Sequence, residues 1–326
     1  MPPDWDPLHN NSGGDRSGDS SSPVSGVASQ PSGHVAAANG INSGGLLSEL
    51  ASPRCQVPEL PDVCHQLRRK LLAFLEERPN GKTLQTVQVQ MRVSMGVIDE
   101  ALRRYALDEL ALSYNGGKDC LVLLILILAC LPVRTSSPKA NGRPSDTAEP
   151  DADATAAATS TATEAQTVAR FQAIYIVPPD PFPEVDAFVE TSTKQYHLDL
   201  ARYALPMRAA LDAYLGDHKT VRAIFMGTRR TDPHSEFLTQ FTPTDAGWPQ
   251  FMRVNPVLDW HYAEIWAFIR HLDIPFCNLY NKGFTSLGGT TDTRPNPVLA
   301  TNGATDTFRP AYELVADDEE RLGRGR

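Results

Sequence analysis

The amino-acid sequence predicts an α/β protein: a mostly parallel sheet with helices on both faces. Two observations carry this reading. Short apolar or β-branched runs, residues 173–177 and 223–227 among them, alternate with segments of helical periodicity, the pattern of a parallel sheet buried under crossover helices. Two polar, glycine-containing loops, residues 113–119 and 227–233, each follow directly on such a run. Parallel sheets bind ligands just outside the carboxyl ends of their strands, so both loops can converge on one site.

The elements follow in chain order. Up to about Pro58 the chain is rich in Ser, Gly, Asn and Pro with few bulky apolar residues; too little surface can be buried to offset the ordering entropy, and a disordered tail is expected over 1–58. From 63 to 105 the pattern is helical. Leu67, Leu71, Leu72 and Leu75 recur at helical spacing with charged residues between them, and Val97, Leu102 and Tyr105 repeat the stripe. Residues 109–112 read as a buried strand and 121–131 as a buried apolar helix. The low-complexity stretch that follows reads as a flexible insertion over 134–167. Residues 173–177 form the next strand. Phe182-Pro183-Glu184-Val185 opens a helix reaching about Tyr196, with Pro183 in the first turn and Glu184 beside the helix dipole. A short strand at Ala204 and Leu205, a helix over 207–214 and a strand over 223–227 come next. A helix over 260–272 turns Ile265, Trp266, Phe268 and Ile269 inward. The domain is therefore expected to span 59–326.

Composition excludes several classes. The 326 residues suffice for one large domain with tails, and the net charge of −9 provides no global basic field for nucleic acid. Five cysteines form no C-x-x-C pair and no zinc spacing, which suits buried thiols in a reducing compartment. The first fifty residues carry one Arg and no continuous apolar stretch, unlike a transit or secretory leader. The longest apolar run, 121–131, falls short of the ~20 residues that cross a bilayer. A monomeric cytoplasmic protein without membrane contact is expected.

The chemistry is concentrated in Ser113-Tyr114-Asn115-Gly116-Gly117-Lys118-Asp119-Cys120. Strand, glycine turn and helix present backbone N–H groups to an anion at a helix N-terminus. Lys118 adds a positive charge, and Asp119 a carboxylate able to hold a metal ion. The run is not a Walker A loop: Leu112 stands where its first glycine belongs, and Asp119 follows the lysine. No Gly-x-Gly-x-x-Gly is present at this turn either. The second constellation, Gly227-Thr228-Arg229-Arg230-Thr231-Asp232-Pro233, offers guanidinium forks for phosphate and a carboxylate for Mg²⁺. Asp245 and Trp248 lie in a turn whose indole can serve as a flat stacking surface. Arg321 and Arg324 would share one face of a helix and clamp one anionic group. Ordinary surface ion pairs, caps and core tryptophans compete with these assignments, and for Trp260 and Trp266 the core reading wins.

The first loop resembles the modified phosphate loop of the ATP pyrophosphatase and PAPS reductase superfamily. Together with residues 227–233, Tyr-Asn-Lys-Gly-Phe-Thr-Ser-Leu-Gly at 280–288 and Pro-Asn-Pro at 295–297, it resembles the eukaryotic, chiefly fungal, FAD synthases (FMN adenylyltransferases). The resemblance implies that fold with a helical C-terminal extension, and Mg²⁺-dependent transfer of AMP from ATP to the phosphate of FMN, giving FAD and pyrophosphate. It implies ATP binding by Ser113, Asn115, Gly116, Gly117, Lys118 and Arg229, and catalysis by Asn115, Asp119 and Asp232, the two carboxylates also holding the metal. It places Asp245, Trp248, Arg321 and Arg324 by the flavin. The alternatives are a sulfonucleotide enzyme of the same superfamily and a flavin-nucleotide sensor without turnover.

Overall fold

The computed structural model describes residues 58–132, 170–301 and 307–325. The expected tail, Pro58 apart, and the expected insertion lie outside them. The first two helices, α1 (Leu60–Glu76) and α2 (Lys82–Arg104), follow the sequence stripe: α1 buries Leu60, Cys64, Leu67, Leu71 and Phe74, spaced three or four apart, and α2 buries Val87, Met91, Ser94, Val97, Ile98 and Ala101. Leu72 lies between these positions and is left exposed.

Strand β1 (Leu110–Ser113) feeds the glycine turn and α3 (Lys118–Cys130). Every residue from Leu121 to Cys130 is buried, which is why this helix shows no apolar face: it is covered all round. It packs against α1, α2 and α6. Then come β2 (Phe171–Ile176), α4 (Pro183–Gln195), β3 (Leu198–Tyr203), α5 (Met207–Asp217), β4 (Ala223–Phe225), β5 (Phe241–Pro243), β6 (Met252–Val254) and α6 (Tyr262–His271).

The strands form one sheet in the order β3-β2-β1-β4-β6-β5. Five run parallel, and β5 pairs antiparallel with β6 at the edge. Leu112 stands opposite Ala173 on one side and Phe225 on the other. Leu110, Leu112, Ala173, Tyr175, Ala223 and Phe225 face the main core beneath α1, α2, α3 and α6, whereas Ala111, Ile174 and Ile224 face a smaller cluster with Leu211 and Tyr214 of α5 and Phe251. Helices thus cover both faces, unequally. After α6 the extension proceeds through single 3₁₀ turns at Asn278–Lys282, Pro297–Leu299, Ala311–Glu313 and Asp317–Glu319.

Two expectations need correction. The strand placed at Ala204 and Leu205 is β3, over Leu198–Tyr203; Leu198, Leu200, Tyr203 and the charged Asp199 and Arg202 suit a half-buried sheet edge. The β5–β6 pair was not expected, because each strand has only three residues and contains Pro243 or Arg253.

The strand order reverses at β1. The chain moves from β1 outward to β2 and β3, then returns to lay β4 on the other side of β1. A crevice opens at such a switch point beyond the carboxyl ends of the two strands, where the 114–118 and 226–233 segments lie. Among the described residues no helix is long and apolar enough to cross a membrane.

Candidate active site

The β1 loop is built for close approach. Gly116 has φ +73°, and a Cβ there would lie 2.8 Å from Val189 Cγ2 of α4, so a side chain would meet both strain and overlap. The side chain of Asn115 folds back and its Oδ1 accepts the Gly117 N–H at 2.9 Å. The Lys118 N–H donates to the Tyr280 hydroxyl at 2.8 Å, fixing the first turn of α3 from the far C-terminal part of the chain.

The β4 loop is pressed against this turn. A Cβ on Gly227 would lie 2.8 Å from Cys120 Sγ and 3.0 Å from the Cys120 backbone nitrogen. This contact seats Arg229 and Asp232 beside Asp119. Arg229 is fully buried. Its Nε stands 2.8 Å from Asp119 Oδ1, its Nη1 3.4 Å from Asp317 Oδ1, and its Nη2 bonds Glu320. Lys118 is buried too; its Nζ bonds Asp119 Oδ2 at 2.9 Å and also Glu320. Two buried cations are therefore shared among three carboxylates, two of them from the last ten residues of the chain.

The two aspartates of the loops respond oppositely. Burial would raise the Asp119 carboxyl, but the Arg229 guanidinium and the Lys118 ammonium outweigh it and hold the group below its ordinary value. Burial first, and then the Asp119 charge, push Asp232 up. Asp232 accepts the backbone N–H of Arg229 at 2.8 Å. Burial opposes the charge of Lys118 and of Arg229, yet the carboxylates around them raise both.

The remaining sequence-predicted residues lie in three places. Ser113 ends β1, half-buried. Asp245 is 70% exposed, 3.6 Å from Arg253, and its carbonyl accepts the Trp248 N–H at 3.1 Å. Trp248 packs on the smaller cluster over the other face of the sheet. Arg321 and Arg324 do not share a helix face: the chain there is a turn closed by the Arg324 N–H to the Arg321 carbonyl, 2.9 Å, and Arg324 bridges to Thr293. Arg324 turns inward to the Leu287 carbonyl at 2.8 Å and Asp292 at 3.1 Å, while Arg321 is exposed.

Sequence reasoning missed Glu320, Asp317, Tyr280 and Asp180. Asp317 accepts the Tyr262 N–H at the start of α6 at 2.7 Å and pairs with His261. Asp180, in the loop after β2, accepts the Thr291 N–H at 2.7 Å and ties that loop to residues 289–291. Tyr280 opens the 280–288 motif without that motif marking its role, and no local pattern marks the other three, since each finds its partner across the fold. Among the described residues, burial pushes the thiols of Cys64, Cys120 and Cys130 up to about 12 and raises Cys277, which disfavours their thiolate forms.

A switch-point crevice bordered by a helix N-terminus and a buried charge cluster is the mark of a nucleotide-handling α/β protein. The family described as phosphoadenosine phosphosulfate reductase domain matches residues 202–295. The "Probable FAD synthase" of Schizosaccharomyces pombe is 36% identical over 252 residues, covering 77% of this chain and 84% of that protein. The flavin adenine dinucleotide synthase of Saccharomyces cerevisiae is 28% identical over 80% of this chain and 82% of its own. Among solved structures, Candida glabrata FMN adenylyltransferase in complex with FMN and the ATP analog AMPCPP superposes with a TM-score of 0.69 at 26% identity, over 83% of this chain and 98% of that one. The same enzyme in complex with FAD and inorganic pyrophosphate gives a TM-score of 0.70. The chain belongs to the FAD synthase family.

Proposed function

We propose that this protein is an FMN adenylyltransferase, making FAD and pyrophosphate from FMN and ATP. The observation that carries the reading is the junction of the two loops at the switch point, in a chain that shares the fold of an FMN adenylyltransferase over most of its length. A phosphate oxygen of FMN attacks the α-phosphorus of ATP. The bond from that phosphorus to the α,β-bridging oxygen breaks, and its electron pair leaves with pyrophosphate. The attacking phosphate is already an anion near neutral pH, so the step requires no general base.

What the protein must overcome is repulsion between two polyanions. Asn115, Gly116 and Gly117, with Ser113 before them, receive the ATP phosphates at the N-terminus of α3. Lys118 and Arg229 act on the ATP side through Asp119, which both hold in place. Asp245, Trp248, Arg321 and Arg324 form the flavin side: Trp248 as a stacking face, Arg321 as the exposed cation, Arg324 as the brace of its segment.

Asp119 and Asp232 fit a Mg²⁺ ion. Asp119 Oδ1 is ion-paired with Arg229 Nε at 2.8 Å, and the neighbouring Asp232 ionises against the charge of Asp119, a conflict that a divalent cation relieves. Among the described residues no three His, Cys, Asp or Glu form a metal cage; Mg²⁺ in nucleotide sites uses one or two carboxylates, phosphate oxygens and water. Bound there, it would neutralise phosphate charge. The reading includes a cytoplasmic monomer; the free thiols of the described cysteines suit a reducing compartment.

Incubation of the purified protein with FMN, ATP and Mg²⁺ tests the reading. FAD and pyrophosphate are expected in equal amounts, and only with the metal. Flavin binding without turnover would instead indicate a sensor, and absence of both would return the sulfonucleotide alternative.

A further inference from the structure

The charge cluster extends beyond the two loops, and its outermost member has no part in the mechanism above. Glu320 is 6% exposed and bonds both buried cations, Lys118 of α3 and Arg229 of the β4 loop. Its backbone is held as firmly as its side chain. The Glu320 carbonyl accepts from Thr285 Oγ1 at 2.6 Å, and Asn296 Nδ2 donates to Thr285 Oγ1 at 2.9 Å and to the Glu319 carbonyl at 2.7 Å. Asn296 is wholly buried. Beyond Glu320, Arg294 N–H donates to the Gly323 carbonyl at 2.8 Å, and Gly325 N–H to the Asp292 carbonyl at 2.6 Å. Residues 317–325 thus form a strap laid across the 283–296 segment, tied into the catalytic loops by Asp317, which of the two cations reaches Arg229 alone, at 3.4 Å, and by Glu320, which bonds both Lys118 and Arg229. The next residue along is the exposed Arg321.

We propose that Glu320 is a positioning residue: by bolting the C-terminal strap to Lys118 and Arg229, it holds Arg321 at the rim of the site, where it receives the FMN phosphate. The inference rests on the adenylyltransferase reading for the role of Arg321, but the bolt itself does not. Two cations anchored on separate strand-end loops meet Glu320, the strap carboxylate that bonds both of them, from a chain segment that is otherwise a series of turns. A side chain that only completed the core would not need to be anionic there. A carboxylate that ties both loops to the strap makes the position of Arg321 depend on the geometry of the ATP loop.

The test pairs Glu320→Gln, which keeps the shape and removes the charge, with Asp318→Asn, an exposed strap residue outside the cluster. Two readouts are taken on full-length protein. The first is backbone hydrogen exchange without substrates. Glu320→Gln is expected to speed exchange at Arg294, Arg324 and Gly325 at least ~10-fold while α1 and α2 stay unchanged, and Asp318→Asn to change neither. Unaltered protection of the strap in a folded Glu320→Gln protein would overturn the bolt, whatever the wild-type activity. The second readout is steady-state kinetics. The KM for FMN is expected to rise about tenfold with that for ATP within about threefold, and Arg321→Ala is expected to add little in the Glu320→Gln background. Equal rises for both substrates, or full additivity with Arg321→Ala, would overturn the link to Arg321. A lower KM for ATP would overturn it too, since Glu320 would then be masking the two cations. Wild-type protein that makes no FAD in the same assay would instead count against the adenylyltransferase reading, leaving the exchange result to decide the bolt.

Discussion

The two loops at the switch point carry the same kinds of residue and use them differently. The β1 loop brings Lys118 and Asp119, the β4 loop Arg229 and Asp232. Arg229 serves the other loop before its own. Its side chain reaches across to Asp119, and Asp232 receives only the Arg229 backbone N–H. One carboxylate is therefore held ionised by two buried cations, and the other is pushed toward its neutral form by burial and by its neighbour. The first is a finished electrostatic unit. The second is a site waiting for positive charge, which substrate and metal can bring. The two aspartates thus divide into a charge-compensated group and an uncompensated one.

The sharpest way to break this division is Arg229→Ala. It leaves Asp119 and Glu320 buried against a lost cation, and uncompensated buried charge costs about 3–5 kcal/mol; thermal unfolding should show the largest fall in Tm of any single change at the site. Next comes the pair Asp119→Asn and Asp232→Asn. Both should lose turnover ~100-fold or more, the scale of removing one group aligned on a charged transition state. Their stabilities should move in opposite directions. The Asp119 carboxyl has a depressed pKa, so its contribution is full above its ordinary 3.8 and is lost as pH falls through the lower folded value. Asp119→Asn should therefore lower Tm at pH 7, with the deficit closing in acid. Asp232 has a raised pKa, so its ionisation costs stability as pH climbs from 3.8 through the folded value. Asp232→Asn should raise Tm at pH 7, with no advantage below about pH 3.8. Melting curves across pH for both variants decide the matter; shifts of the same sign would remove the contrast.

Gly227→Ala probes the contact that makes the loops a single unit. A methyl group there would press on Cys120 of α3, and overpacking of this kind costs about 1–3 kcal/mol; chemical denaturation should report the loss, with turnover falling as Asp232 moves off Asp119. The smallest effect is expected at Trp248→Ala, away from the charge cluster. The KM for FMN should rise about tenfold, ~1.4 kcal/mol, and that for ATP much less. Equal changes in both would take Trp248 out of the flavin side.

What could be read in advance follows the range over which each signal acts. The strand, glycine turn and apolar helix around Asn115 to Asp119 announce themselves within twenty residues, because a strand end and a helix start are local matters of pattern. The same holds for Arg229 and Asp232 after β4. β5 and β6 were illegible because three residues with a proline or an arginine carry no period, and they exist only by pairing with β4 and each other. The three-residue spacing of Arg321 and Arg324 would pair them on a helix, but Gly323 sits where a Cβ would run into the Arg294 carbonyl, and the chain turns into a bridge with Thr293. Glu320 lies beside those arginines in sequence, and its importance comes from Lys118, two hundred residues earlier. Buried ionic partners are chosen by the fold, so a charge whose partner lies that far away looks like one more surface residue.

The crossover from β1 to β2 has a further consequence. Helix α3 starts at the phosphate pole and runs the length of the sheet before the chain leaves it near Pro132, and it re-enters near Arg170 just before β2 starts at its amino end. Whatever length of chain joins these two points is therefore attached at the pole opposite the chemistry. Closing a longer loop costs free energy only with the logarithm of its length. This pole is the natural port for a grafted reporter domain or an affinity module, because both attachment points, Pro132 and Arg170, lie at the end of the sheet away from the ATP loop.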